Sequence, residues 1–173
     1  MFVGAMLRLL PDVPDLTALI VGKVAREHEG FAAELKRRIA AAGLSKRVLF
    51  VGEVSPDRTP DLIRALSLVV NLPRYEGYGV VPLEAMASGT PFVASEAGHY
   101  RAFSAKGTTG IVVPVEDADG AADAVNALLG APERYAAAQR AGRLLVEADY
   151  SAGREAQAIS EVYEALWAGV RGH

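Results

Sequence analysis

The sequence predicts an α/β fold in which a doubly wound parallel sheet is flanked by helices. Short runs rich in β-branched residues alternate with longer Ala- and Leu-rich stretches that have helical spacing. The short runs are continuously apolar, which is typical of strands covered by helices on both faces. Strand and helix alternate along the chain, which favours parallel strands joined by right-handed crossovers.

Five strands are expected from these apolar runs. They lie at residues 19–21, 48–51, 68–70, 91–94 and 111–113. The first two end at Gly22 and Gly52, and the last ends at Pro114, which are residue types that favour turns. Ahead of the first strand the chain has only the end of a helix, over residues 3–10. A βαβ unit normally begins with a strand, so we expect the sheet to lack its first strand.

The helices are expected between and after the strands. They lie at residues 3–10, 31–42, 59–65, 81–88, 118–129, 132–147 and 152–167. Gly43 and Gly89 supply C-terminal stops, and Pro132 suits the first turn of a helix. The last helix has one apolar side, which is expected either to pack on the core of its own domain or, where a neighbouring domain is absent, to form an exposed apolar patch. That side carries Ala156, Ile159, Tyr163 and Leu166.

Composition limits the class of protein. The length of 173 residues, about half of them apolar (51%), fits a single domain over residues 1–173. A net charge of −3 with interspersed signs argues against a nucleic-acid partner. There is no cysteine, and the three histidines are scattered, so no metal site is expected. No apolar run approaches the ~20 residues of a membrane span, and no signal peptide is evident, which favours a cytoplasmic location.

The segment after the third strand carries the most informative pattern. It contains Gly77 and Gly79, which free the backbone for close approach to a ligand, and Pro82, which suits a first helical turn. A helix that begins at the carboxyl end of a strand presents amides without partners and a partial positive charge. The segment therefore predicts an anion site suited to a diphosphate. Arg74, which also follows the strand, is a candidate cation for that phosphate.

Two glutamates flank this predicted helix start. Glu76 lies in the glycine-containing loop, and Glu84 follows it after seven residues, early in the helix. A carboxylate accepts hydrogen bonds from vicinal hydroxyls such as those of sugars. Two carboxylates around an anion site therefore suggest a nucleotide-sugar, which has hydroxyls at both ends and phosphate between. The alternative is that both acids merely favour the helix dipole, which suits Glu84 alone.

The same stretch resembles a known family. The pair Glu76 and Glu84 and the run Pro-Leu-Glu-Ala-Met-Ala-Ser-Gly-Thr-Pro at 82–91 are similar to the core of retaining GT-B glycosyltransferases, the glycosyl transferases group 1. The resemblance extends from the first strand to Tyr163, includes Gly98, and looks most like bacterial lipopolysaccharide-core mannosyltransferases. It implies a Rossmann-like domain, the C-terminal, donor-binding half of a GT-B fold.

The resemblance also implies roles for individual residues. Glu84 would hold the ribose, and Glu76 would contact the donor sugar at the reacting face as the catalytic residue. The base pocket would be lined by the loop at Gly52, Glu53 and Val54, with Gly22 under the nucleotide. Backbone amides would bind the sugar and the diphosphate at Gly77, Tyr78, Gly79, Val80 and Val81.

The implied partners follow from the same likeness. The donor would be a nucleotide-sugar, with GDP-mannose favoured, and no metal or other cofactor would be needed. The acceptor would be a glycan or lipid-linked molecule bound through an N-terminal domain, with peripheral association at the inner face of the membrane. An Arg and a Lys that grip the diphosphate in the family would stand before Met1, and Ala102 replaces a Glu that relatives often carry.

Alternatives remain at this point. The pattern Asp117-Ala118-Asp119 matches a metal-binding Asp-x-Asp, but an N-cap followed by an acid in the first helical turn explains it fully. The chain could also be a non-catalytic module that binds nucleotides or sugar phosphates. A GT-B-like nucleotide-sugar epimerase is the third class.

Overall fold

The structure is a computed structural model that describes residues 1–105 and 109–171. The described residues contain five strands, each within one residue of its predicted position. They are β1 (Ala18–Val21), β2 (Val48–Gly52), β3 (Val69–Asn71), β4 (Phe92–Ser95) and β5 (Gly110–Val113). The α/β class predicted from the alternating runs is confirmed.

Eight α-helices accompany these strands in the described ranges. They are α1 (Phe2–Leu9), α2 (Glu29–Ala41), α3 (Thr59–Ala65), α4 (Val80–Ala87), α5 (Tyr100–Ala105), α6 (Ala118–Leu129), α7 (Pro132–Asp149) and α8 (Ala152–Arg171). Short 3-10 turns lie at Leu10–Asp12 and Arg26–His28. Sequence patterns did not predict α5, because six residues are too few to show an apolar period.

The strands are parallel, as predicted, but they form two sheets instead of one. β1 pairs with β2, and β4 lies between β3 and β5. A groove of about 390 Å³ lies between the sheets, and we call it the inter-sheet groove. It is lined by residues of both β1 and β3 and by side chains of α1, α3, α4 and α6. A sheet lacking its first strand fits this division, because a strand seated there would join the two sheets.

The two sheets share one hydrophobic core. Ala18 and Val48 from the first sheet pack in the same buried cluster as Val93 and Val113 from the second. All four residues of β4 are buried, as predicted for a strand covered on both faces. The first sheet differs from that prediction, because Val21, Leu49 and Val51 are exposed. Its opposite face meets the core through Ala18, Ile20, Val48 and Phe50.

Helix α8 has an apolar stripe that is open to solvent. Of the two expected arrangements, packing of this side on the domain core is wrong for Ile159, Tyr163 and Leu166, which are 50–70% exposed, and the exposed apolar patch is the one observed. Within the described ranges, no helix combines the length and the apolar character needed to cross a membrane.

Candidate functional site

The loop between β3 and α4 is built around Gly79. This residue has φ 103° and ψ 64°, a left-handed conformation that favours glycine, and α4 begins at the next residue. No side chain caps the helix, and its first turn carries no acid. Pro82 has no N–H, so the first-turn amides that lack a helical acceptor are those of Val80 and Val81. Both residues are exposed, which makes this helix start accessible to an anion.

Residues 98–100 pack tightly against this loop. A Cβ on Gly79 would lie 1.9 Å from Cε1 of Tyr100, and a Cβ on Gly98 would lie 3.1 Å from Cγ of Glu76. The amide of His99 donates to the carbonyl of Tyr78 at 3.2 Å. The loop therefore takes its shape from glycines that allow close contact with the segment that leads into α5.

Glu76 has its carboxylate held at both oxygens. Oε1 accepts a hydrogen bond from the amide of Gly77 at 3.0 Å, and Oε2 accepts one from the Tyr100 hydroxyl at 3.2 Å. The residue is exposed and lines a cavity of about 500 Å³. The cavity is formed by Arg74, Tyr75, Glu76, Gly77, Ala97 and Gly98. It therefore offers a fixed carboxylate, a cation and backbone groups to a ligand.

Tyr100 is a residue that sequence analysis missed. Its ring is fully buried, and its hydroxyl accepts a hydrogen bond from Nδ2 of Asn71 at 2.6 Å. Burial, and then the nearby Glu76 carboxylate, raise the pKa of Tyr100, so the hydroxyl stays protonated and able to donate. The one signal in the sequence was Asn71, a polar residue directly after an apolar strand.

Glu84 lies in the second turn of α4, on the other side of the helix start from Glu76 in sequence. It is exposed and lines the inter-sheet groove together with Val81, Val21 and Asn71. The two glutamates thus border different cavities, and α4 begins between them.

Arg74 lines the same cavity as Glu76 but is engaged in an ion pair. Its Nη2 lies 2.7 Å from Oε1 of Glu116, and both side chains are largely exposed. Exposed pairs of this kind contribute only about 0–1 kcal/mol, so the guanidinium can exchange partners. Its role towards phosphate stays a prediction.

The residues predicted for the base pocket meet at the end of the first sheet. The amide of Gly22 donates to the carbonyl of Gly52 at 2.8 Å, and both glycines have positive φ, 134° and 83°. Glu53 is exposed and Val54 is half-buried beyond this contact. The structure thus brings Gly22 and the 52–54 loop together, while their contact with a nucleotide stays a prediction.

The aromatic rings of Tyr78 and His99 contact each other at this loop. Their ring centroids are 5.0 Å apart, and Tyr78 also meets Phe103 edge-on at 6.1 Å. Tyr78 is half exposed, so it anchors the loop and still presents part of its ring to solvent.

The Asp-x-Asp pattern has the structural role expected of a helix start. Asp117 is the N-cap of α6, and its Oδ1 accepts a hydrogen bond from the amide of Gly120 at 2.7 Å. Asp119 lies 3.3 Å from Nε of Arg8 on α1. The N-cap interpretation is confirmed. The described ranges contain no group of three or more His, Cys, Asp or Glu residues placed to hold a metal ion.

The fold and the site together define a general class of protein. It is an α/β domain with parallel strands, whose candidate ligand site lies in loops that follow the strand ends. The chain belongs to the glycosyl transferases group 1 family, whose model matches residues 2–145. This confirms the family resemblance carried by Glu76, Glu84 and the run at 82–91.

Curated relatives place the chain more narrowly within the family. It is 40% identical over 168 residues to the lipopolysaccharide core biosynthesis mannosyltransferase LpsB of Rhizobium meliloti (strain 1021). It is 42% identical over 169 residues to the mannosyltransferase LpcC of Rhizobium leguminosarum bv. viciae, also named for lipopolysaccharide core biosynthesis. Each alignment covers 96% of this chain and 47% of the relative, so the chain spans about half the length of these proteins.

Solved structures share the fold. The C-terminal domain of a glycosyl transferase group 1 family protein (LpcC) from Francisella tularensis matches with a TM-score of 0.82 and 29% identity, over 87% of this chain and 78% of that one. Anabaena HepE in complex with UDP matches with a TM-score of 0.87 over 95% of this chain and 44% of that one. Its identity of 24% supports a shared fold alone. The predicted C-terminal-domain architecture is thereby confirmed.

Proposed function

We propose that this chain is the donor-binding domain of a retaining glycosyltransferase. The intact enzyme would transfer a hexosyl group, with mannosyl favoured, from a nucleotide-sugar to a glycan or lipid-linked acceptor such as lipopolysaccharide core. Family membership and two relatives named as lipopolysaccharide-core mannosyltransferases support this proposal. The proposed location is the cytoplasm, at the inner face of the membrane, where a lipid-linked acceptor would be met.

The uncapped start of α4 is the observation that carries the proposal. The amides of Val80 and Val81 give the N-terminus of α4 a partial positive charge, and Gly79 lets the backbone turn immediately before it. A diphosphate suits such a site because it carries dense negative charge and many acceptor oxygens. Stabilising the charge that develops on a leaving diphosphate is the chemistry that this helix start would supply.

The two glutamates set the proposed orientation of the donor. Glu84, at the end of the inter-sheet groove, would accept hydrogen bonds from the ribose hydroxyls. Glu76, fixed by Gly77 and Tyr100, would accept them from the donor sugar. The base would lie towards Gly22 and the 52–54 loop. In this layout the diphosphate crosses the start of α4 between the two carboxylates.

No metal or other cofactor enters the proposed reaction. The Asp117 carboxylate already caps α6, and the Asp119 carboxylate already pairs with Arg8. GDP-mannose is the favoured donor because the relatives named above are mannosyltransferases. HepE has been solved with UDP and with UDP-glucose, so uridine donors are the competing choice.

Calorimetric titration with UDP, GDP, ADP and their sugars tests this function. We expect GDP-mannose to bind, and Glu84→Ala to weaken the binding of the nucleotide about 10- to 100-fold, the cost of losing hydrogen bonds to a charged group. Glu133→Ala is the matched control, because Glu133 is an exposed acid in the first turn of α7, outside the site.

Three outcomes would overturn parts of the proposal. Unchanged affinity in Glu84→Ala would remove Glu84 from the site. Absence of binding for every nucleotide and nucleotide-sugar would reject the donor-binding function. Interconversion of free nucleotide-sugars without an acceptor would identify an epimerase instead.

A further inference from the structure

Asn71, Tyr100 and Glu76 form a chain of hydrogen bonds behind the candidate site, and Tyr100 is more than 20 positions from the other two. Nδ2 of Asn71, at the end of β3, donates to the Tyr100 hydroxyl at 2.6 Å, and that hydroxyl donates to Oε2 of Glu76 at 3.2 Å. The other carboxylate oxygen accepts from the Gly77 amide. Glu76 is exposed, yet its carboxylate is tied to a buried ring and a strand end.

We propose that Tyr100 is a positioning residue that holds the Glu76 carboxylate towards the donor sugar. The proposal rests on the proposed function, because it assigns Glu76 to the sugar half of the ligand. Tyr100 itself would not touch the ligand, since its ring is fully buried behind the loop. Its effect would reach the sugar only through Glu76.

The hydroxyl is the part of Tyr100 that needs a functional explanation. Packing against Gly79 and Phe103 uses the ring, which a phenylalanine would also supply. The hydroxyl adds a polar atom to a buried ring, which costs free energy unless it is hydrogen-bonded. Its two partners are Asn71 and the carboxylate that lines the cavity. An exposed glutamate would otherwise sample several rotamers, so the bond restricts it to one direction.

The protonation of Tyr100 favours the same direction of hydrogen bonding. Burial and the neighbouring carboxylate raise the pKa of Tyr100, so the phenol keeps its proton at neutral pH. Asn71 donates to the phenol oxygen, which leaves the phenol proton for Glu76. The carboxylate therefore receives a hydrogen bond and stays an acceptor for a sugar hydroxyl.

The test compares GDP with GDP-mannose by calorimetry in wild type and Tyr100→Phe. We expect Tyr100→Phe to weaken GDP-mannose binding about tenfold and GDP binding by less than about twofold, because only the sugar contact depends on Glu76. In Glu76→Ala, adding Tyr100→Phe should cause no further loss. Tyr135→Phe is the matched control, since that variant also removes a tyrosine hydroxyl, one that donates to the Ser67 carbonyl at 2.7 Å.

A second measurement needs no ligand. The NMR signal of the Gly77 amide reports the Glu76 carboxylate, and it should shift in Tyr100→Phe and in Glu76→Gln but not in Tyr135→Phe. An unmoved Gly77 signal, or equal losses for GDP and GDP-mannose, would overturn the positioning role. If wild type binds neither compound, the proposed function fails, and the Gly77 signal still decides whether Tyr100 holds Glu76.

Discussion

The ring of Tyr100 lies where a side chain at position 79 would have to go. A Cβ on Gly79 would be 1.9 Å from Cε1 of the ring, far inside van der Waals contact. Gly79 also has a φ of 103°, which side-chain-bearing residues rarely adopt. The ring and the glycine together fix the turn that exposes the start of α4.

Gly79→Ala should therefore be one of the most damaging single substitutions in the site. We expect a loss of about 2–4 kcal/mol in the free energy of unfolding, from the left-handed backbone and the clash with the ring. Chemical denaturation measures this loss, and nucleotide titration should show weakened binding in the folded fraction. Gly43→Ala is the control, because Gly43 has φ 71° but open space around its Cβ position. Its expected cost is about 1 kcal/mol; equal costs for both variants would contradict the role of the ring.

The strands were predictable from sequence because burial within parallel sheets selects short continuous apolar runs. Helix α5 was not predictable, because the core contacts described for it come from two large residues, Tyr100 and Phe103, which are too few to show an apolar period. The division into two sheets was also missed. Strand pairing depends on which edges meet in three dimensions, and the apolar runs carry no information about this.

The site was predictable where backbone geometry requires a residue type. Gly79 was identified because a turn into a helix start favours glycine, and Glu76 because it stands beside that turn. Tyr100 was missed because its bond to Glu76 joins residues 24 positions apart. Arg74 was chosen as a phosphate cation on sequence position alone, which could not reveal its ion pair with Glu116.

Alkaline pH should destabilise the protein through Tyr100. Its pKa is raised by burial and by Glu76, so the folded state keeps a proton that the unfolded chain loses above about pH 10. Stability is fully present below that pH and is lost as pH rises, by up to about 1.4 kcal/mol per pH unit for this group. In urea denaturation at a series of pH values, the free energy of unfolding should fall less steeply with rising pH in Tyr100→Phe than in wild type.

Tyr135 provides an internal comparison for this pH dependence. Burial raises the pKa of Tyr135 as well, so Tyr135→Phe should also make the free energy of unfolding fall less steeply at alkaline pH. The stability of the double variant should depend on alkaline pH less than that of either single variant, since each tyrosine has its pKa raised by its own burial. Alkaline slopes that match wild type in all three variants would contradict the assignment.

Arg47 should contribute strongly to stability although it lies outside the site. Its half-buried guanidinium donates to the carbonyls of Leu10 at 2.7 Å and Leu16 at 2.7 Å, and also to that of Val13. It therefore supplies hydrogen-bond donors to three backbone carbonyls in the segment that joins α1 to β1. We expect Arg47→Ala to cost about 2–3 kcal/mol of unfolding free energy, and Arg47→Lys to recover less than half, because an ammonium cannot reproduce the fork.

Urea denaturation measures this contribution. Lys46→Ala is the control, because Lys46 is the exposed neighbouring cation and should change stability by less than about 0.5 kcal/mol. An Arg47→Lys variant as stable as wild type would show that charge alone, without the forked geometry, accounts for the effect.

Glu116 should compete with a bound diphosphate for the guanidinium of Arg74. The side chains of Arg74 and Glu116 are 72% and 60% exposed, so their ion pair is weak, and a diphosphate near Arg74 would displace Glu116. We expect Glu116→Gln to strengthen GDP binding about two- to fivefold at low salt, and Arg74→Ala to weaken it by a similar factor. The double variant should behave like Arg74→Ala, because the gain acts only through that guanidinium.

Salt and a second ion pair make this competition testable by calorimetry. The gain in Glu116→Gln should shrink when ionic strength rises from about 0.05 M to about 0.5 M, since exposed charges are screened. Glu147→Gln is the matched control, because it breaks a comparably exposed pair with Arg143, 2.6 Å apart on α7. If Glu116→Gln leaves GDP affinity unchanged at low salt while GDP still binds, Arg74 takes no part in holding the diphosphate. The amides at the start of α4 would then be the main phosphate contacts that this chain supplies.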